Sequence, residues 1–193
     1  MLSFFAALSL LSFHVTQETA LLPALLLPIA VHEAGHLLAL RLMGFRLRSV
    51  QLEARGLCIR YAGLGGWLQE AIAALSGPLA GLVYGLLILF LPVSCAAWLE
   101  ISASVSLLLT AFNLLPILPL DGGRVLYALC MRSLSEEEAN RLVRGLSVAA
   151  LAVLLLLGLV LLIWQKSVGL LAAGLWLVLE NGRLPLVNKR KLL

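Results

Sequence analysis

The sequence predicts an all-α polytopic membrane protein of about six transmembrane helices, with a short cytoplasmic β-hairpin between spans two and three. Three observations lead there. Of the 193 residues, 62% are hydrophobic and 12% charged, whereas soluble domains are about 45–50% apolar and about 25% charged. The mean hydropathy is +1.04. Apolar runs near the roughly 20 residues needed to cross a bilayer recur along the chain. So little polar surface cannot keep a soluble globule dispersed. The length suits one membrane-embedded domain over residues 1–182, with a core at 20–132 and a basic tail at 183–193.

The elements follow in order. The run 2–15 has no Lys or Arg ahead of it and no small-residue cleavage site, so it reads as a retained short span and not as a signal peptide. The second span is 20–43. Phe45–Ala62 then alternates apolar and polar residues, with Arg55-Gly56 as a turn, which is the pattern of a hairpin. Spans three and four are 67–91 and 96–118. Ser135–Arg144 reads as a separate surface helix with Ser135 as N-cap and Glu136–Glu138 in its first turn. Spans five and six are 146–164 and the short 168–179.

The basic residues orient these spans. Of the 14 Lys and Arg residues, all but Lys166 fall at the end of span two or in the loop after it, in the loop after span four or in the C-terminal tail. Positive loops stay cytoplasmic, so both termini and those two loops are expected on the cytoplasmic side. The pI near 9.3 follows from these loops and implies no nucleic-acid partner. Cys58, Cys95 and Cys130 show no C-x-x-C spacing, which supports neither a disulfide framework nor a cysteine metal site.

The chemistry sits inside the second span, at His32-Glu33-Ala34-Gly35-His36. Residues four apart share one face of a helix, so His32 and His36 can turn both imidazoles to one metal ion. Glu33, beside the first ligand, can reach a water on that ion. This is the H-E-x-x-H arrangement of zinc peptidases. The preceding Ala20–Val31 is apolar. Ionisable groups are costly inside a span, and a metal ion compensates them. Two histidines leave a catalytic zinc one protein ligand short. Asp121 is the candidate: it ends an apolar stretch in which Pro116 and Pro119 break the helix and Gly122-Gly123 permit a tight turn. His36 lies ten residues before Arg46 and Asp121 three before Arg124, so both sit toward the cytoplasmic side.

At these motifs the sequence resembles the site-2 protease family of intramembrane zinc metalloproteases (peptidase M50). That family shares H-E-x-x-H in one span and N-x-x-P-x-x-x-x-D-G in a later one. Both patterns stand here, as His32–His36 and Asn113–Gly122, and Ser76–Gly81 resembles a glycine-proline segment between them. The resemblance is closest to the six-span branch of sporulation-type proteases that process pro-sigma factors, without a CBS or PDZ domain. It implies one Zn2+ per chain held by His32, His36 and Asp121. It further implies Glu33 as catalytic base. Asn113, polar within an apolar span, is a candidate for holding the substrate backbone or supporting the oxyanion.

The expected activity is hydrolysis of a peptide bond in or near the transmembrane segment of a membrane-anchored protein substrate, of pro-sigma or anti-sigma factor type. The expected setting is the bacterial cytoplasmic membrane, with the lipid bilayer as the other partner and the active-site opening on the cytoplasmic side. The alternative is a multi-span zinc transporter or metal-binding membrane protein. A transporter should carry metal-binding groups along a path through several spans. Outside the two motifs only Glu70 and Glu100, both near span ends, stand out.

Overall fold

A computed structural model describes residues 21–53, 56–62, 66–90 and 97–183. The expected first span, His14, Glu18, Cys95 and the tail beyond Arg183 lie outside the described residues. Six helices are described: α1 (Leu21–Leu42), α2 (Trp67–Phe90), α3 (Ala97–Asn113), α4 (Asp121–Cys130), α5 (Glu136–Gln165) and α6 (Gly169–Arg183).

Helix α1 ends where Gly44 takes a positive φ of 78°. There the Phe45 N–H bonds Leu40 O and the Gly44 N–H bonds Arg41 O, a Schellman stop that a residue with a Cβ tolerates poorly. Glycines also let the first three helices approach one another. A Cβ on Gly35 of α1 would lie 2.6 Å from Ser76 O and 2.7 Å from the Ala80 Cβ of α2. Gly81 of α2 faces Thr110 and Ser106 of α3 in the same way. Across that seam the Ser106 hydroxyl donates to Gly81 O at 2.8 Å, and the Thr110 hydroxyl donates to Pro78 O at 3.3 Å. Small residues and short hydroxyls are what hold helices together where lipid removes the hydrophobic drive between them.

After α3 the chain breaks over residues 114–120, then restarts as α4 at Asp121. Pro116 and Pro119 supply no N–H, and each opposes continuation of the helix. Ile117 and Leu120 from this break pack with Leu151 and Leu154 of α5 and Leu177 of α6. That cluster fixes the break against the last two helices. Outward, α5 exposes Val148, Val153, Leu156, Leu157, Leu159 and Ile163, a surface suited to acyl chains. This chain is an integral membrane protein.

Several expectations need correction. Three described helices are long and apolar enough to cross a membrane: Leu22–Leu42, Trp67–Phe90 and Glu136–Gln165. Trp98–Asn113 and Gly169–Gly182 are apolar but shorter. The six-span count with a cytoplasmic hairpin therefore does not stand as the fold class: the described residues form a helical body of three crossing-length helices, two shorter apolar ones and the short α4. The fourth span ends at Asn113 and not at 118, because the prolines interrupt it. Between α1 and α2 in the chain, β1 (Arg46–Glu53) and β2 (Gly56–Ala62) pair antiparallel, with Leu52 opposite Leu57 and an irregularity between Leu47 and Ser49. Their backbone pairing gives them no side of the membrane.

The expected surface helix and fifth span are one continuous helix of 30 residues. A capping box starts it: Ser135 Oγ accepts from the Glu138 N–H, while the Glu138 carboxylate accepts from the Ser135 N–H. Gly145 lies in open space, and one glycine costs a helix only about 1 kcal/mol. The helix runs on to Lys166, which closes it in the left-handed conformation.

Candidate metal centre

The i, i+4 spacing on α1 puts His32 and His36 on its buried side, at 1% and 8% exposure. Their rings meet edge to face with centroids 4.8 Å apart. Asp121, at the first position of α4 and 6% exposed, comes to them from 85 and 89 residues further along. Its Oδ2 lies 3.1 Å from His32 Nε2 and 3.2 Å from His36 Nε2, and the two Nε2 atoms are 3.2 Å apart. His32, His36 and Asp121 are the group of potential metal donors found among the described residues.

The ring of His36 is held from behind. Its Nδ1 lies 2.7 Å from the backbone oxygen of Ala73 on α2. A carbonyl only accepts, so Nδ1 carries the proton, and in the neutral ring Nε2 presents a lone pair. That lone pair points at a carboxylate oxygen and a second imidazole nitrogen. With the His32 ring in the same tautomer, the three atoms are lone-pair donors that a cation between them would satisfy together. The spacing also fits: donors 2.0–2.1 Å from a tetrahedral zinc sit about 3.3 Å apart. Three protein ligands leave the fourth position for water or substrate, the pattern of catalytic zinc sites.

Two neighbours of the cluster are not among the expected site residues, although Gly77 belongs to the Ser76–Gly81 segment of the resemblance. Gly77 of α2 lies directly against the His36 ring, where a Cβ would collide with Nε2 and come within 2.6 Å of Cδ2 and Cε1. Arg124, one turn along α4, places Nη1 3.4 Å from Asp121 Oδ1, leaving Oδ2 as the atom turned to the histidines. The tight turn expected at Gly122-Gly123 is replaced by helix: both residues lie in the first turn of α4, and their missing side chains instead let that turn pack against the backbone of Leu114, Leu115 and Ile117.

Glu33 is half-buried on α1 beside His32. Asn113 is buried at the end of α3, and its side-chain amide donates to Leu109 O one turn back at 2.9 Å. It does not join the three-donor cluster. Cys130 is an unbridged thiol on α4.

A break between helices that delivers a carboxylate to an H-E-x-x-H helix defines a class, and comparison with known proteins agrees. The chain matches Peptidase M50B-like over residues 2–120 and Peptidase family M50 over residues 93–157. It belongs to the M50, or site-2 protease, family. Rip3 of Mycobacterium tuberculosis, which carries a zinc metalloprotease name, is 33% identical over 168 residues, covering 79% of this chain and 41% of that protein. Stage IV sporulation protein FB of Bacillus subtilis is 33% identical over 151 residues, covering 71% of this chain and 48% of that one. The chain thus spans less than half the length of these relatives. The site-2 protease from Methanocaldococcus jannaschii superposes with a TM-score of 0.69 at 20% identity, covering 97% of this chain and 91% of that one. That likeness speaks for the fold.

Proposed function

We propose that this chain is the membrane-embedded catalytic unit of a zinc-dependent endopeptidase that cuts a peptide bond in or beside the transmembrane segment of another membrane protein. The observation that carries the reading is the convergence of His32 Nε2, His36 Nε2 and Asp121 Oδ2 to within 3.2 Å of one another in the buried interior of the helical body.

His32, His36 and Asp121 are the residues we assign to hold the ion. Zinc bound there supplies Lewis acidity towards a water and the scissile carbonyl. Glu33 is assigned as the base: its carboxylate takes the proton from the attacking water and returns it to the leaving amide nitrogen. A carboxamide carries two N–H groups, and we assign the one that Asn113 does not give to Leu109 to the substrate backbone. A helical substrate hides its carbonyls in its own hydrogen bonds, so the segment to be cut must unwind first. By the positive-inside distribution of Lys and Arg, the site opens to the cytoplasm of a bacterial cell, and both termini face it. The name of the Bacillus relative favours a substrate linked to sporulation, which is where a membrane-tethered pro-sigma factor enters as a candidate.

The test is co-expression with single-span candidate substrates, comparing wild type with Glu33→Gln. Wild type should release a product that the variant does not, while both retain one zinc. Equal product from both removes the protease reading, and zinc flux through proteoliposomes by either would favour a transporter.

A further inference from the structure

The helix break ahead of Asp121 has a backbone whose hydrogen bonds can be followed one by one. The Leu114 N–H bonds Thr110 O, that of Leu115 bonds Phe112 O, that of Ile117 bonds Leu115 O, and that of Leu120 bonds Ile117 O. Pro116 and Pro119 have none to give. The remaining one, on Leu118, is satisfied by a side chain from a distant helix: it donates to Ser147 Oγ of α5 at 3.1 Å. The same hydroxyl donates to Pro116 O at 3.3 Å. From α6, the Asn181 amide donates to Leu118 O at 2.9 Å. Two residues on two helices thus grip both backbone groups of Leu118 and the carbonyl two residues before it.

This grip is coupled to the metal donors through the turn. A Cβ on Gly123 would lie 2.6–2.7 Å from the Ile117 carbonyl and the Leu118 nitrogen, so the first turn of α4 rests directly on the gripped peptide. Asp121 opens that turn, and the Arg124 N–H bonds back to Leu120 O at 3.1 Å. Ser147 is fully buried, and Asn181 is half-buried near the end of α6. Neither side chain is among the three donors.

We propose that Ser147 and Asn181 are positioning residues: they clamp the helix break at Leu118 and thereby hold the Asp121 carboxylate against His32 and His36. The proposal rests on the reading of that cluster as a metal site. It makes α5 and α6 part of the site without touching the ion, and it ties any movement of α6 to the placement of the third donor. Residues that orient a ligand in this way change metal affinity by about 10–100-fold when removed.

The experiment uses the full chain, purified in detergent, with cobalt(II) as probe and a competing chelator to set affinity. Ser147→Ala, Asn181→Leu and Ser147→Thr are compared with wild type, and circular dichroism reports helicity. Ser147→Ala and Asn181→Leu should each bind cobalt at least about 10-fold more weakly and change its d–d spectrum, with helicity kept. Ser147→Thr, which retains the hydroxyl, should restore both. Wild-type affinity and spectrum in both loss variants overturn the clamp. If Ser147→Ala does not purify folded, Asn181→Leu decides by the same two readouts. A wild-type chain that binds no cobalt, or one whose binding survives His32→Ala, instead sinks the metal-site reading.

Discussion

Gly77→Ala is the smallest change that should separate the stability of this fold from the function of its site. The added methyl would collide with His36 Nε2 and lie 2.6 Å from Cδ2 and Cε1. Comfortable carbon contacts are about 3.5 Å, so ring or helix must yield by about 1 Å. The ring cannot back away freely, because its Nδ1 is tied to Ala73 O at 2.7 Å. Helix α1 cannot ride up without opening the Gly35 contact with Ser76 and Ala80. Overpacking of this kind costs about 1–3 kcal/mol, and replacing a helical glycine by alanine returns about 1 kcal/mol. The net effect on stability is therefore modest. A 1 Å misplacement at a reacting centre, in contrast, costs roughly 100-fold in rate. The assay is cleavage of a single-span substrate in proteoliposomes, with zinc content and thermal unfolding measured on the same preparation. The expected result is a folded protein with cleavage down roughly 100-fold and weakened zinc. Wild-type cleavage in a folded Gly77→Ala protein would refute the inferred fixing of the His36 ring.

Two further outcomes follow from other parts of the molecule. Asn113→Leu keeps the side chain's bulk and removes its amide, so it should lower kcat while the zinc content stays at one per chain; unchanged kcat would return Asn113 to a purely local role on α3. Ser135→Ala removes the capping box on α5 and should lower unfolding stability by about 1 kcal/mol without altering cleavage; unaltered stability would mean that the exposed first turn contributes nothing to the fold.

The convergence of His32, His36 and Asp121 is legible because it is written in short spacings. Two histidines four apart share a face on any helix, and an acid after two prolines at the end of an apolar run has few other uses. The elements were harder. The Ser135–Arg144 stretch looked like a separate surface helix because its charges contrast with the apolar run after it. A helix, however, needs only the absence of a breaker to continue, and Gly145 is too weak a one. The expected fourth span runs five residues past the end of α3, since Leu114–Leu118 reads as apolar whether or not Pro116 interrupts it. Residues acting through tertiary contact show no role in spacing alone, even Gly77 within the Ser76–Gly81 segment. Gly77 matters because His36, 41 positions earlier, lies against it. Ser147 and Asn181 look like incidental polar residues in apolar helices until the Leu118 peptide is found between them.

X-ray absorption at the zinc edge, on the purified chain and on Asp121→Asn, tests the joint coordination by α1 and α4 most directly. Wild type should show two imidazoles with oxygen ligands at about 2.0–2.1 Å. Asp121→Asn should lose the carboxylate contribution and bind the metal more weakly. An absence of zinc in the wild-type chain, or the same ligand shell in both proteins, would contradict the assignment of Asp121 as the third donor.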